Sequence, residues 1–471
     1  MGTPDRSRFL PIRDAMKSIN LQRVNIAGVI LDLGFPWHTR GTDYCRALRI
    51  IDESYGKPGI SVNVFAETSD ILPHVVACGD VVLLCNVVIR KYGEEINAVF
   101  NKKFSSFALY NGKDDDHFVP YQVSSKFQPR VTDITLIDML RKWLISFKLI
   151  EDFSKFPMFS EIKEGGCFVD LACKVLHCCE TANHEWMAFI WDGTDLPPNS
   201  ISASLEDELD NPLPLHLEPE PLPRELLCTF PTIGSILRIT YDKGIEKEHL
   251  KFLDSGKWVK FVNIHLQVRA GLWHGVLTTT TKLRYTPKDD NLIQERERLY
   301  GGRMSLNCGR APFASLPWTS CITVVDHEDA PFVTLMDVLT HSQVTAKYKC
   351  LVRVVAALPW LAENFRSQDG IYRMRLTLED PTARIHAYVY AEDGEKLFDG
   401  YPGNSIWTQK MNLLLGVEPS DSDGSISTVT DCALRNPPWV QFCIKSYYKS
   451  EQDVWGSRKY RIFDTKIDGE E

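Results

Sequence analysis

At 471 residues the chain has room for about three domains of ordinary size, and 44% hydrophobic with 24% charged residues is the balance of a folded globular protein. No run approaches the ~18 consecutive apolar residues of a membrane helix, and residues 1–20 lack the apolar core of a signal peptide, so no membrane association is expected. Thirteen cysteines, odd in number and without a Cys-x-x-Cys pair, argue against a disulfide framework and against zinc, and suit reduced thiols in a nuclear or cytosolic protein.

The net charge of −9 is unevenly spread. Residues 1–150 carry nineteen Lys and Arg against sixteen Asp and Glu, whereas residues 195–225 carry one cation against eight acids. The N-terminal third is too weakly basic to hold a nucleic acid by backbone charge alone, so stacking would have to carry much of any such binding.

In chain order, Phe9–Ile19 reads as a short helix and Val24–Leu33 as a first strand. Tyr44–Ile51 and Ile60–Ala66 read as two paired strands, the second alternating Ile60, Val62 and Val64 with polar residues. A short helix near Ser69–Val76 and strands Val81–Arg90 and Phe104–Tyr110 complete the order of an OB-fold, a small five-stranded Greek-key barrel. Ile134, Ile137, Leu140, Leu144 and Phe147 form the stripe of a helix capped by Thr132 or Asp133. A second unit offers Cys167–Cys178 and Trp186–Trp191, in which Trp186 and Trp191 fall on opposite faces of one strand. The acidic, Pro-rich segment 195–231 reads as a long exposed insertion, either a linker or a protein-docking loop. Strands resume at Ser235–Tyr241, Val259–Val268 and Gly275–Leu283, and Asp289–Tyr300 reads as a linker helix. After a connector over 301–330, Thr334 caps a short helix before strands Tyr348–Ala356, Ile371–Glu379, Arg384–Tyr390, Trp407–Val417, Trp439–Tyr447 and Lys459–Phe463.

A repeat runs through this pattern. In each unit the second strand ends in an acid, Asp52, Asp192 and Asp380, and a third strand follows, as Ser61–Phe65, Ser200–Leu205 and Arg384–Tyr390. The expected fold is all-β dominated, three OB-fold barrels in series with short linking helices, over 1–150, 151–300 and 331–471. Catalytic signals are missing: there is no phosphate-binding Gly loop, His-Glu-x-x-His or Gly-x-Ser-x-Gly, so no enzyme, cofactor or metal is expected.

OB-folds bind oligonucleotides on strands two and three. Phe65 stands on strand three, as a stacking plate or an ordinary core plug; Arg90, Lys91 and Tyr92 end strand four, and Trp37 and His38 lie in the first loop. Thr42 and Asp43 open the paired strands, Asp43 as a carboxylate for guanine's two adjacent donors or as a turn cap.

The stretch Gly41-Thr42-Asp43-Tyr44-Cys45, followed by a strand ending in Asp52, resembles the protection-of-telomeres proteins, the telomere end-binding family, and the compact C-terminal part looks more like the plant members than the animal ones. The resemblance implies binding of the single-stranded G-rich DNA of chromosome ends, in the nucleus, for end protection and telomere length regulation. It matches Phe65 and Tyr92 to stacking positions and Thr42 and Asp43 to base-contacting ones. It also implies that the first two barrels carry DNA while the third docks telomere-capping or telomerase proteins and touches no DNA. The alternative is a telomerase accessory or scaffold protein with weak DNA binding. Two departures stand out: Asp32 and Gly34 occupy positions where animal members carry an aromatic and a lysine, and Asp393 to Trp407 is too short for the cysteine-bearing insertion of those members.

Overall fold

The computed structural model describes residues 8–19, 22–113, 116–147, 156–163, 165–180, 185–198, 215–218, 221–241, 253–269, 271–284, 290–305, 322–327, 329–359, 361–417 and 435–468. In the N-terminal unit Arg23–Gly34 pairs antiparallel with Tyr44–Asp52 and with Val81–Tyr92. Tyr44–Asp52 pairs with Tyr55–Ala66, which runs parallel to Glu95–Phe100, and that strand returns to Val81–Tyr92. The pairings form a ring with the connectivity of an OB-fold. Ile60, Val62 and Val64 point into its core beside Ile30, Leu48 and Leu84, while Ser61, Asn63 and Phe65 face outward, as a period of two requires. Gly59, at φ +77°, makes the entry turn possible, since a Cβ there would lie 2.7 Å from the Ile50 carbonyl oxygen.

The middle unit repeats the ring: Cys167–Glu180 pairs with Trp186–Trp191 and Trp258–Arg269, Trp186–Trp191 with Leu237–Tyr241, and Leu237–Tyr241 runs parallel to Leu272–Leu277. Leu272–Leu277 pairs back to Trp258–Arg269. The C-terminal unit is a closed barrel of Lys347–Leu358, Arg373–Glu379, Arg384–Tyr390, Arg458–Phe463 and Val440–Tyr448.

Several elements differ from the sequence expectation. Phe9–Leu10 is a strand parallel to Asn25 and Ile26, leaving only Ile12–Ala15 helical. Pro73 limits the next expected helix to the turn Ser69–Ile71. Glu95–Phe100, not Phe104–Tyr110, closes the first ring; Ser106–Tyr110 instead lines the other edge of Val81–Cys85. The helix Val131–Ser146 begins before Thr132, and Asp133 accepts the Arg130 N–H at 2.9 Å rather than preceding the helix. Ser200–Leu205 lies outside the described residues, and the third strand of the middle ring is Leu237–Tyr241. Trp407–Val417 is not a strand: Asn404–Leu415 is a helix whose Trp407, Met411, Leu414 and Leu415 are buried at helical spacing, stopped by Gly416 in the left-handed region.

The repeated acids prove to be pins. Asp52 accepts the Ile12 N–H at 2.8 Å with one oxygen and the Ser54 hydroxyl and Tyr55 N–H with the other. Asp192 accepts the Phe159 N–H at 2.7 Å and both the N–H and hydroxyl of Thr194. Asp380 accepts the Leu335 N–H at 2.7 Å and both the N–H and hydroxyl of Thr382. In each unit the turn after strand two is thereby tied to the helical turn that precedes strand one.

The units are joined closely. Lys282–Arg284, expected as the end of one strand with Gly275, is a separate strand that pairs with Asp32–Gly34 and carries the middle barrel's sheet onto the N-terminal one. Segment 195–231 is docked at Leu217, Glu218, Leu226 and Phe230, which are buried, while Pro223, Arg224, Glu225, Cys228 and Thr229 are exposed as expected. Glu218, fully buried, pairs with Arg238 at 2.6 Å, and Arg238 also reaches the Pro381 carbonyl at 3.0 Å. The Leu215 carbonyl accepts the Arg384 N–H at 2.9 Å, and Arg353 bonds the Leu196 carbonyl at 2.7 Å. Asn291–Ser305 packs on the middle barrel rather than linking units, with Arg296 donating to the Phe156 carbonyl at 2.7 Å and Tyr300 against Trp191.

Candidate nucleic-acid interface

The outer face of the N-terminal barrel presents its side chains in rows. One row crosses six strands through five successive pairings: Arg284, Asp32, Arg49, Ser61, Asn97 and Arg90. A second contains Ala47, Asn63, Val99 and Val88, and a third Trp37, Cys45 and Phe65. Phe65 is half-buried and outside the core cluster, so it is not a core plug. An aromatic plate beside Asn63 and Ser61, with arginines at either end of the row, suits an unstacked base and its phosphates.

The lip near Phe65 holds the other expected residues of the first loop. His38 and Tyr44 pair across strands with rings 4.9 Å apart, edge to face. Thr42 is exposed, its hydroxyl 3.4 Å from the Asp43 carboxylate. The Asp43 carboxylate receives Lys102 at 2.8 Å, and Lys102 also reaches Glu67 at 3.2 Å. The hydrogen bond from Lys102 holds the Asp43 carboxyl below its ordinary range, against a smaller opposing effect of desolvation. It is the Asp43 carbonyl oxygen that closes the turn, accepting the Thr39 N–H at 2.9 Å and the Thr39 hydroxyl at 2.7 Å.

Tyr92, 53% exposed, ends its strand opposite Glu95 with exposed Arg90 and Lys91 beside it. Phe65 follows Val64, which pairs with Phe100, so Tyr92 stands about 20 Å away along the sheet at ~3.3 Å per residue. The two plates mark opposite ends of one face.

Sequence reasoning missed the groove that continues this face. A cleft of about 880 Å³ between the N-terminal and middle barrels is lined by Trp37, Ala47, Arg49, Lys57, Lys282 and Arg284 among others. Lys282 pairs with Gly34 and Arg284 with Asp32, so two cations arrive from a neighbouring strand opposite these two positions. Arg284 lies 3.5 Å from buried Asp32. The clue available in sequence was the alternation Lys282-Leu283-Arg284, which carries two cations to one face.

The middle barrel's own strand face is closed. Met187 and Phe189, which would lie outward on strand two, are buried under Leu226 and Phe230, with the Phe189 and Phe230 rings 5.3 Å apart. Trp186 and Trp191 keep the strand's alternation but neither is an open plate. Trp186, on the side of Ala188 and Ile190, packs against the core, while Trp191, paired with Lys174, is buried under Tyr300 and donates its indole N–H to the Thr194 carbonyl at 2.7 Å. Trp273 is buried as well and donates to the Pro197 carbonyl.

Residues 4–151 match the family model described as telomeric single-stranded DNA binding POT1/CDC13, and residues 318–453 match POT1A-like, OB fold domain. Protection of telomeres protein 1b of Arabidopsis thaliana is 39% identical, with 98% of each chain covered. The chain belongs to the protection-of-telomeres family. Protection of telomeres protein 1a of Arabidopsis thaliana is 37% identical over the same shares, and the human family protein 25% identical over 39% of this chain and 28% of its own. Among solved structures, fission yeast Pot1 with single-stranded DNA is 16% identical, covering 62% of this chain and 93% of that one at a TM-score of 0.26. A replication protein A heterotrimer bound to single-stranded DNA is 12% identical, covering 95% and 92% at a TM-score of 0.30.

Proposed function

We propose that this protection-of-telomeres family member binds the single-stranded G-rich DNA of chromosome ends in the nucleus, protecting the end and regulating telomere length without catalysis of its own. The observation that carries the reading is the open outer face of the N-terminal barrel, where Phe65, Trp37, Arg49 and Arg90 combine an aromatic row with a cationic one. The strand runs across this face into the groove lined by Lys57, Lys282 and Arg284, so the middle barrel contributes its edge rather than its strand face. Telomere-capping or telomerase proteins are assigned to the helical side of the C-terminal unit, where Tyr401 and Ile406 are exposed.

Guanine selection falls to Asp43, with Thr42 beside it. A carboxylate can accept guanine's ring N–H and exocyclic amine together, while thymine and adenine each present an acceptor that repels it. Lys102 fixes the carboxylate and keeps it charged. The test is binding of the purified chain to a G-rich single strand, its C-rich complement and a guanine-substituted series, before and after Asp43→Ala. The G-rich strand is expected to win, and the substitution to cost about 1–3 kcal/mol on guanine-containing strands only. Equal binding of the G- and C-rich strands by the intact chain would overturn the reading.

A further inference from the structure

The C-terminal barrel carries a second face of the same kind. Arg373 pairs with Tyr390, Arg375 with Tyr388, Tyr388 with Arg461, and Arg461 with Lys445. These residues line a groove of about 830 Å³, with Tyr447 and Lys449 at its side. Tyr390 is 40% exposed, and the guanidinium carbons of Arg373 and Arg461 lie 5.9 and 5.4 Å from its ring centroid. Arg373, Arg375, Lys445, Lys449 and Arg461 place five cations on the groove. Two acids stand against them: Asp393, held by Arg461 and by Lys445 at 3.3 Å, and Glu392, 2.9 Å from Arg461. The face keeps an excess of positive charge.

The position of the aromatic is also shared. Counted back seven residues from the pinning acid, strand two of the N-terminal barrel reaches Cys45, which faces Phe65. The same count from Asp380 reaches Arg373, which faces Tyr390. Phe65 and Tyr390 therefore occupy one register position in two barrels. Tyr388 and Tyr390 project from the same side of one strand about 6.7 Å apart, twice the ~3.4 Å spacing of stacked bases, a separation that suits bases splayed from one another.

We propose that this face is a second single-strand site, taking unpaired bases on Tyr390 and Tyr388 and phosphates on Arg373, Arg375 and Lys449. It goes beyond the N-terminal site and stands apart from it, and it replaces the expectation that the C-terminal unit touches no nucleic acid. An acidic peptide would answer the cations but leaves the two in-register rings without a role.

The test uses the full chain with single strands of about 10 and about 30 nucleotides, as DNA and as RNA, and the variant Tyr388→Ala/Tyr390→Ala. Affinity for the short G-rich DNA should hold within about twofold, because the N-terminal face accommodates it. The long strand should lose about tenfold, the scale of one stacked base, and Tyr388→Phe/Tyr390→Phe should restore it. Loss confined to the RNA arm assigns the site to RNA, and loss in both to single strands generally. Unchanged affinity on both long strands, or equal losses on long and short, would overturn the proposal. So would displacement of the long strand from this face by polyglutamate as potently as by oligonucleotide. Photo-crosslinking of a 5-iodouracil strand to the peptide holding Tyr388 and Tyr390 in the parent chain reads this face independently. A crosslink there stands even if short G-rich DNA fails to bind and the N-terminal reading falls, and its absence counts against the site.

Discussion

The N-terminal and middle barrels share one ring of strand pairings yet use their strand faces in opposite ways. In the first, the outward residues of strand three are Ser61, Asn63 and Phe65, polar or half-exposed. In the second, outward Met187 and Phe189 lie under Leu226 and Phe230, and Arg238 on strand three is sealed by Glu218. The same topology yields an open face in one case and an internal joint in the other. What decides is whether a later stretch of chain brings enough apolar surface to cover the face, so OB architecture alone does not assign a nucleic-acid site.

The largest test of this contrast removes the seal. Glu218→Ala leaves Arg238 buried without its carboxylate, which is expected to cost about 3–5 kcal/mol, read in a urea or thermal unfolding curve. Affinity for short G-rich DNA should barely change, and a joint loss of stability and binding would show that the covered face takes part in recognition.

A second test uses pH at the joint with the C-terminal barrel. Burial, the largest influence on Glu379, would raise its pKa, but Arg384 and Arg353 outweigh it and bring the carboxyl to about 2, against an ordinary 4.5. The stability it contributes is present above pH 4.5 and is lost as pH falls toward 2. Asp380 runs the other way: burial pushes it up to about 6 from 3.8, so acidification across that window favours the folded state. The melting temperature should therefore hold or rise from pH 6 to about 4.5 and drop below it. Glu379→Gln should flatten the drop and Asp380→Asn the rise, each limited to about 1.4 kcal/mol per pH unit.

The open face calls for the reverse pattern. Phe65→Ala should weaken single-strand binding by about 1–3 kcal/mol with little change in melting temperature, since the ring lies outside the core. A large fall in stability would return Phe65 to the interior. The smallest effect is expected of the groove cations. Each phosphate neutralised on a single strand adds about −0.7 to the log–log salt slope, so Lys282→Ala should flatten it by about that much. A variant with the parent's slope would remove the groove from the DNA path.

The first barrel was legible because Ile60, Val62 and Val64 alternate with polar residues and the strands on either side are apolar runs bounded by turn residues, and the acids ending strand two marked the repeat before their partners were visible. Thr42, Asp43, Trp37, His38 and Phe65 do converge at one lip, whereas Tyr92, with Arg90 and Lys91, stands at the far end of the same face. What stayed hidden were contacts made across long separations. Composition marked segment 195–231 as solvent-loving, but Glu218 finds Arg238 and Leu215 finds Arg384, partners that no local pattern announces. Asn404–Leu415 was misread because Met411-Asn412-Leu413-Leu414-Leu415 is apolar at every spacing but one, and a short apolar run does not separate helix from strand.

The threefold pin of Asp52, Asp192 and Asp380 has a consequence for where this chain can be divided. Each barrel reaches backward past its first strand to clamp Ile12, Phe159 or Leu335. The inheritable unit, the piece that could be duplicated, exchanged or excised whole, begins at that lead-in turn. A cut at Arg23, Cys167 or Lys347 would keep every strand of its barrel and still leave a carboxylate reaching for a backbone that had gone.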